Sequence, residues 1–260
     1  SKVTDMSYMF AGNKISSFSP SQFKGQSLVM VNGMFRDCRS LTRVNLDSLE
    51  APDIENFQEM FYNCESLTEV SFKNIKSDYA HNISYMFAGC KKIQSIDLSM
   101  FETDYIVDMD SVFSDCNNLR TITFSKNMKT SNLKSMSSMF SYCENLQSLD
   151  LSNFDTSDVT SMGMMFTNCK KLTNLNLKNF NTMHNIDFSE MFSGCEELTN
   201  LDLSGFSGDN AKYIYGMFEN AKKITSITLT NFRAKNAFRM SSMFKGMSSL
   251  KTLDITGIDN

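Results

Sequence analysis

A phrase of about 26 residues repeats from one end of this 260-residue chain to the other. Its clearest copy reads Met165-Phe166-Thr-Asn-Cys169-Lys-Lys-Leu172, and its phenylalanine recurs at spacings of 25, 26 or 27 residues. The ten positions are Phe10, Phe35, Phe61, Phe87, Phe113, Phe140, Phe166, Phe192, Phe218 and Phe244. A fixed period is typical of repeat proteins, in which each unit contacts only its neighbours. The period therefore predicts a single elongated domain over residues 1–260, built from about ten stacked units.

The spacing of apolar residues predicts the structure of one unit. From Val159 to Leu175 the steps are mostly three residues, and between Leu175 and Leu177 the step is two. A step of two is typical of a strand, and the preceding run suits one or two turns of helix or 3-10 helix. We therefore predict an α/β repeat solenoid in which short parallel strands stack into one sheet and short helical or 3-10 segments lie between them.

Three irregular places are expected to fit this scheme. Pro20 follows the first strand position and lacks a backbone donor, so an edge strand suits it best. Pro52 is expected in a loop. The 27-residue copy carries its extra residue near positions 126–128, and we expect a loop bulge there.

Phenylalanine, methionine and cysteine are expected to form the core. The chain has 22 Phe and 20 Met, mostly at fixed positions of the unit, and Met fills irregular gaps well. All seven cysteines stand three residues after the repeat phenylalanine, at Cys38, Cys64, Cys90, Cys116, Cys143, Cys169 and Cys195. Parallel, tightly packed side chains rarely offer a disulfide dihedral, so we predict a buried ladder of reduced thiols.

Composition and motifs exclude several classes of function. Net charge is −4 and the sequence pI is about 5.3, without a basic stripe for nucleic acid. No apolar run approaches the ~18 residues of a membrane span. The usual zinc spacings and the common enzyme motifs are missing, and His81 and His184 stand in separate units. We therefore expect no cofactor, no metal and no enzymatic activity, with a carbohydrate-active segment as a minor alternative.

The repeat resembles a known family. Residues 149–172 read LDLSNFDTSDVTSMGMMFTNCKKL, which is similar to the 26-residue repeat branch of the BspA-like leucine-rich repeat surface proteins of bacteria. The resemblance implies a leucine-rich-repeat-like solenoid, located extracellularly on the cell surface or anchored to the cell wall. It also implies adhesion or host interaction. Neither polar end caps nor an initiator Met is seen, so we expect the chain to be a segment of a longer surface protein.

Two outward-facing positions are candidate binding sites. The first is the polar residue at the centre of each strand, which could bind a glycan or a protein loop. These residues are Asn45, Ser71, Asp97, Thr123, Asp150, Asn176, Asp202, Thr228 and Asp254. The alternative is a solvated sheet face without a binding role.

The second position carries Tyr79 and Tyr105 in adjacent units, and Tyr is enriched at interface hot spots. Tyr213 and Tyr215 form a weaker second patch.

Two functions follow from these candidates. The leading hypothesis is a non-enzymatic adhesion or host-interaction module that binds an extracellular protein or glycan over one face of the solenoid. The alternative is a rigid spacer that displays another domain of the same surface protein. A binding hot spot at Tyr79 and Tyr105 distinguishes the first from the second.

Overall fold

The computed structural model describes residues 2–20, 25–51, 53–73, 75, 77–99, 101–126 and 128–258. These residues wind into a β-solenoid in which each coil passes once through a strand side and once through a turn side. The strands within the described residues are β1 (Ser17–Phe18), β2 (Arg43–Asn45), β3 (Glu69–Ser71), β4 (Ser95–Leu98), β5 (Thr121–Phe124), β6 (Ser148–Asp150), β7 (Asn174–Asn176), β8 (Ser226–Thr228) and β9 (Thr252–Asp254).

The strand side is divided into four parallel sheets. Their orders are β1-β2-β3, β4-β5, β6-β7 and β8-β9, so the prediction of one continuous sheet is wrong. Residues 201–203 share the Leu-Asp-Leu sequence of residues 149–151 but form no strand. Within the described chain, no backbone N–H of residues 199–203 donates to a backbone carbonyl. Backbone pairing between coils is therefore interrupted on this side.

Hydrogen bonding on the turn side is continuous. Each repeat phenylalanine from Phe10 to Phe218 donates its amide N–H to a carbonyl of the next coil, at 2.9 to 3.0 Å. Nine parallel bridges join successive coils from Asp5 to Arg239 in the described residues. The chain thus makes about nine complete turns, and the predicted ten complete units are not confirmed.

Consecutive turns stand where helical segments were expected, and the described residues contain no helix. Alternate N–H groups point in different directions: Phe166 donates to Met191 of the next coil, but Thr167 donates to Met164 three residues back. Met164 and Asn168 also have positive φ angles of 57° and 58°. A left-handed residue at every fourth position ends any right-handed helical run, so the helical prediction is not confirmed.

The core consists of columns of identical side chains stacked along the solenoid. Phe166 is fully buried, and its ring centroid lies 5.7 Å from that of Phe140 and 5.6 Å from that of Phe192.

All seven cysteines are free and buried, which confirms the predicted thiol ladder. The Cys169 thiol donates to the Phe140 carbonyl at 3.1 Å. Burial raises the pKa of the Cys195 thiol to about 12.

The irregular copies are partly accounted for. Strand β1 ends before Pro20 and forms the edge of the first sheet, as predicted. Pro52 and Asn127 lie outside the described residues, so their expected loop positions stay predictions. Met128, the last residue of the expected bulge, is buried.

Candidate functional site

The polar residues of the strand side are mostly exposed, as their alternation with apolar neighbours requires. Asp97 pairs with Thr123 between β4 and β5, and Asp150 pairs with Asn176 between β6 and β7. Asp202 stands in the unpaired stretch that follows. The gaps between sheets therefore distribute these five of the nine candidate residues over three places, and they do not form one uninterrupted ladder.

Most of these residues also have a structural role at the end of the strand. The carboxylates of Asp97, Asp150 and Asp202 each accept the backbone N–H two residues later, at 2.9 Å. Asn176 accepts from the Lys178 N–H at 3.2 Å. These are Asx-turns, in which a short side chain mimics a backbone turn. Sequence analysis missed this role, although the Asp-Leu-Ser phrase carries its signal.

The Asx-turns set the ionisation of two candidate carboxylates. The backbone N–H of Ser152, followed by its hydroxyl, holds the pKa of Asp150 below its usual value. Ser204 lowers the pKa of Asp202 in the same way. Hydrogen bonds to the charged form favour that form, so both residues are carboxylates at neutral pH.

Two polar depressions flank the unpaired stretch at residues 199–203. One, of about 380 Å³, is lined by Asp150 and Asn176 together with neighbouring Ser and Thr residues. The other, of about 490 Å³, contains Asp202 and Thr228. Hydroxyl, amide and carboxylate groups in shallow depressions suit hydrogen bonding to a polar ligand, and binding by these residues stays a prediction.

The structure brings Tyr79 and Tyr105 together. Their ring centroids are 6.4 Å apart with an interplanar angle of 18°, and 56% and 57% of the two residues is exposed. Each tyrosine stands in a tight turn, closed by hydrogen bonds from Ala80 N–H to Ser77 O and from Ile106 N–H to Thr103 O. The tyrosines of adjacent units thus lie next to each other, and their predicted role in binding is untested.

Buried hydroxyls fix the turns that carry the tyrosines. Ser77 and Thr103 are each 2% exposed. The Ser77 hydroxyl accepts the Glu102 N–H at 2.7 Å and donates to the Glu102 carbonyl at 3.1 Å, and Thr103 accepts the Lys129 N–H at 2.9 Å. Further coils repeat this link at Thr130, Thr156 and Thr182. This column was not predicted, although a threonine recurs at its position in four successive units, at Thr103, Thr130, Thr156 and Thr182.

The tyrosines depart from what this position does in other coils. Asn132, His184, Asn210 and Asn236 occupy the equivalent turn position, and each side chain bonds a backbone carbonyl of the preceding coil at 2.6 to 2.9 Å. Within the described chain, neither tyrosine hydroxyl makes a hydrogen bond. The two tyrosines therefore replace a stabilising contact by exposed aromatic surface.

Carboxylates surround the two rings. Asp78, Glu102 and Asp104 line a depression of about 400 Å³ with Tyr79 and Tyr105, which we call the tyrosine cleft. The Lys129 ammonium lies 3.0 Å from Asp104 Oδ2 at its border. The Asp104 carboxylate, followed by Glu102 and Tyr105, raises the pKa of Lys129.

The second predicted patch also contains aromatic contacts. The Tyr213 ring meets the exposed ring of Phe238 edge-on, at 4.9 Å. The Arg239 guanidinium lies 4.3 Å above the ring of Tyr215. Both tyrosines are half-buried and already partnered, so this patch is less available than the tyrosine cleft.

The described residues offer neither a metal site nor a membrane-spanning helix. They contain no group of three or more His, Cys, Asp or Glu side chains that could hold a metal ion. None of their segments is a helix long and apolar enough to cross a membrane.

Comparison with known families identifies the repeat. The profile of the family described as "Mycoplasma protein of unknown function, DUF285" matches residues 1–96, 81–199 and 134–257. The chain belongs to this family. The DUF285 matches overlap and together span nearly the whole sequence, as expected when one family pattern covers several copies of a repeat. No curated protein sequence matches this DUF285 chain.

Several solved structures resemble this DUF285 solenoid. One is a leucine-rich repeat protein of Eubacterium ventriosum, with 16% identity, a TM-score of 0.40, and coverage of 84% of this chain and 67% of that one. Another is a leucine-rich cell surface protein of Faecalibacterium prausnitzii, with 14% identity, a TM-score of 0.38, and coverage of 97% and 83%. An internalin of Listeria monocytogenes shares 12% identity, with a TM-score of 0.36 and coverage of 88% and 72%.

Proposed function

We propose that this chain is a non-enzymatic binding module of the BspA-like type, which contacts an extracellular protein or glycan through the tyrosine cleft. One observation carries the proposal. Tyr79 and Tyr105 are stacked and more than half exposed, at a position where other coils bond a neighbouring carbonyl. A solenoid gains no evident stability from this exchange, whereas a binding surface gains two aromatic contacts.

The geometry suits recognition without large rearrangement. Ser77 and Thr103 fix both turns from below, so few backbone degrees of freedom remain to be ordered when a partner binds. Preorganisation of this kind raises affinity because it lowers the entropic cost of association. The depressions on the strand side, which contain Asp150, Asn176 and Asp202, would supply weaker polar contacts.

The proposed location is the cell surface. The repeat phrase of residues 149–172 resembles the 26-residue branch of BspA-like surface proteins, and membership of DUF285 is compatible with that branch. In this proposal the chain is part of a longer protein that is secreted or anchored to the cell wall, and its coils present the cleft to host matrix or to another cell.

The test is surface binding of the chain to a panel of extracellular-matrix proteins, mucins and glycans at two salt concentrations. Saturable binding to one member is expected, and a Tyr79→Ala/Tyr105→Ala variant should lose at least about 1 kcal/mol of binding free energy. Tyr142→Ala is the matched control, because Tyr142 is 39% exposed and lies outside the cleft. Equal binding by wild type and the double variant would refute the proposal.

A rigid spacer is the competing function, and inter-coil ion pairs favour it. Glu197 bonds Lys223 at 2.5 Å, Glu219 bonds Lys245 at 2.7 Å, and each pair links adjacent coils. Such contacts tie neighbouring coils together without requiring a partner. Failure of the folded chain to bind any member of the panel would support the spacer.

A further inference from the structure

We infer that the tyrosine cleft receives the positively charged side chain of a lysine or arginine from a protein partner. This inference rests on the proposed function, because it specifies the chemical group that Tyr79 and Tyr105 contact. Three observations support it: the carboxylates of the cleft, a cation that the chain already holds at the border of the cleft, and the guanidinium groups that stand over two other tyrosines.

The cleft already attracts an ammonium group. The Lys129 Nζ lies 3.0 Å from Asp104 Oδ2, although its side chain is 68% exposed and free to extend elsewhere. Among the described residues, the cleft and its border carry three carboxylates, from Asp78, Glu102 and Asp104, against this one ammonium. The local charge therefore still favours a second cation.

The carboxylates of the cleft are presented from a fixed backbone. The Asp104 side chain is 39% exposed, so part of its carboxylate can meet an incoming cation at the surface. The Glu102 backbone is held on both sides by the Ser77 hydroxyl, so the acidic wall next to Asp104 has a fixed position.

Half-buried tyrosine rings of this chain already bind guanidinium groups. Arg36 stands 4.5 Å over the ring of Tyr62, and Arg239 stands 4.3 Å over that of Tyr215. Cations over tyrosine faces are attracted by the ring quadrupole. Tyr79 and Tyr105 offer two neighbouring rings with no cation over them among the described contacts, and with more carboxylates nearby. A basic side chain of a partner thus repeats an interaction that the chain makes internally.

Calorimetric titration of the full chain with blocked pentaarginine tests this inference. Blocked pentaglutamate and a neutral hexasaccharide serve as comparison probes. Asp78→Asn should weaken pentaarginine binding roughly two- to fivefold. Asp209→Asn removes the same charge from the equivalent turn, where Asn210 stands in place of the tyrosine, and should leave affinity nearly unchanged. Lys129→Ala should strengthen binding by a similar factor, because it removes the competing ammonium.

The outcomes separate this inference from the proposed function. Equal weakening by Asp78→Asn and Asp209→Asn would indicate general attraction to an acidic protein and would overturn the inference. Binding of the hexasaccharide that depends on both tyrosines, without binding of pentaarginine, would overturn the cation while leaving the tyrosine cleft as the binding site. Binding of no probe that depends on Tyr79 and Tyr105 would count against both.

Discussion

Replacement of Phe166 by alanine tests the repeat phase and the packing together. The ring is fully buried and stacks on both neighbours, at interplanar angles of 2° to Phe140 and 10° to Phe192. A buried Phe→Ala change costs about 3–5 kcal/mol, from lost transfer energy and the cavity that is left. Each aromatic pair contributes about 0.5–1.5 kcal/mol beyond area burial, so loss of two pairs places Phe166 in the upper part of that range.

Phe244 is the matched control for this prediction. It occupies the same repeat position but is only half-buried, and among the described residues it stacks on Phe218 alone, at 5.8 Å. Phe244→Ala should therefore destabilise the solenoid by about half as much as Phe166→Ala. Denaturant unfolding followed by circular dichroism measures both free energies. A loss below about 1 kcal/mol in the free energy of unfolding for Phe166→Ala would refute the reasoning, because removing a buried ring that is stacked on both sides leaves a large cavity.

Two further predictions concern the thiol ladder and the Asx-turns. Cys116 is fully buried, and desolvation raises the pKa of its thiol. It should therefore react slowly with a thiol reagent in the native state and quickly in denaturant. Fast labelling of the native protein would contradict the buried ladder. Asp150 and Asp202 have lowered pKa values when folded, so their charged forms stabilise the fold above the usual pKa of 3.8, and this stabilisation is lost as pH falls through the folded value. An Asp150→Asn/Asp202→Asn variant keeps the turn acceptor, as Asn176 does, and unfolding measured between pH 6 and roughly 2.5 should show a smaller loss than wild type. Equal losses in both proteins would show that these carboxylates do not control acid stability.

The period of the sequence predicts much of the fold because packing repeats with it. A column of identical apolar side chains can be buried only if successive coils stack in register, so the positions of Phe166 and Cys169 within one unit determine their neighbours. The strand centres follow from the two-residue step at Leu175 and Leu177. The continuous hydrogen bonds of the turn side maintain this register along the described chain.

The turn conformation was harder to predict because its two left-handed positions differ in sequence signal. The second position carries Gly, Asn or Asp in nearly every coil, as at Gly89, Asp115 and Asn168, and these residues tolerate positive φ well. The first position carries Tyr85, Met164 and other residues that give no such signal. A three-residue apolar step fits a helix and these successive turns equally well, so period alone cannot separate them.

The missing strand at residues 201–203 could not be predicted from the sequence either. Residues 201–203 repeat the letters of residues 149–151, yet only the latter overlap a strand. Pairing therefore depends on the context of the strand in the solenoid and not on its own residues alone. Asn185 is a second exception to the repeat. It is fully buried in an otherwise apolar column, and its Oδ1 has no partner in the described structure.

The two sides of the solenoid are constrained to different degrees, and this bears on where a binding surface can arise. On the turn side each coil donates backbone hydrogen bonds to the next, so its conformation is fixed largely independently of the side chains. The turns that carry Tyr79 and Tyr105 come between the strand and the turn side of their units. Buried hydroxyls fix them from beneath, which leaves their outward residues free to change. Asn, Asp, His and Tyr all occupy this position in different coils of one chain. Such a position can acquire a binding role without loss of the fold, which is why the pair of tyrosines there is more informative than the Asp ladder, whose members also shape the turns.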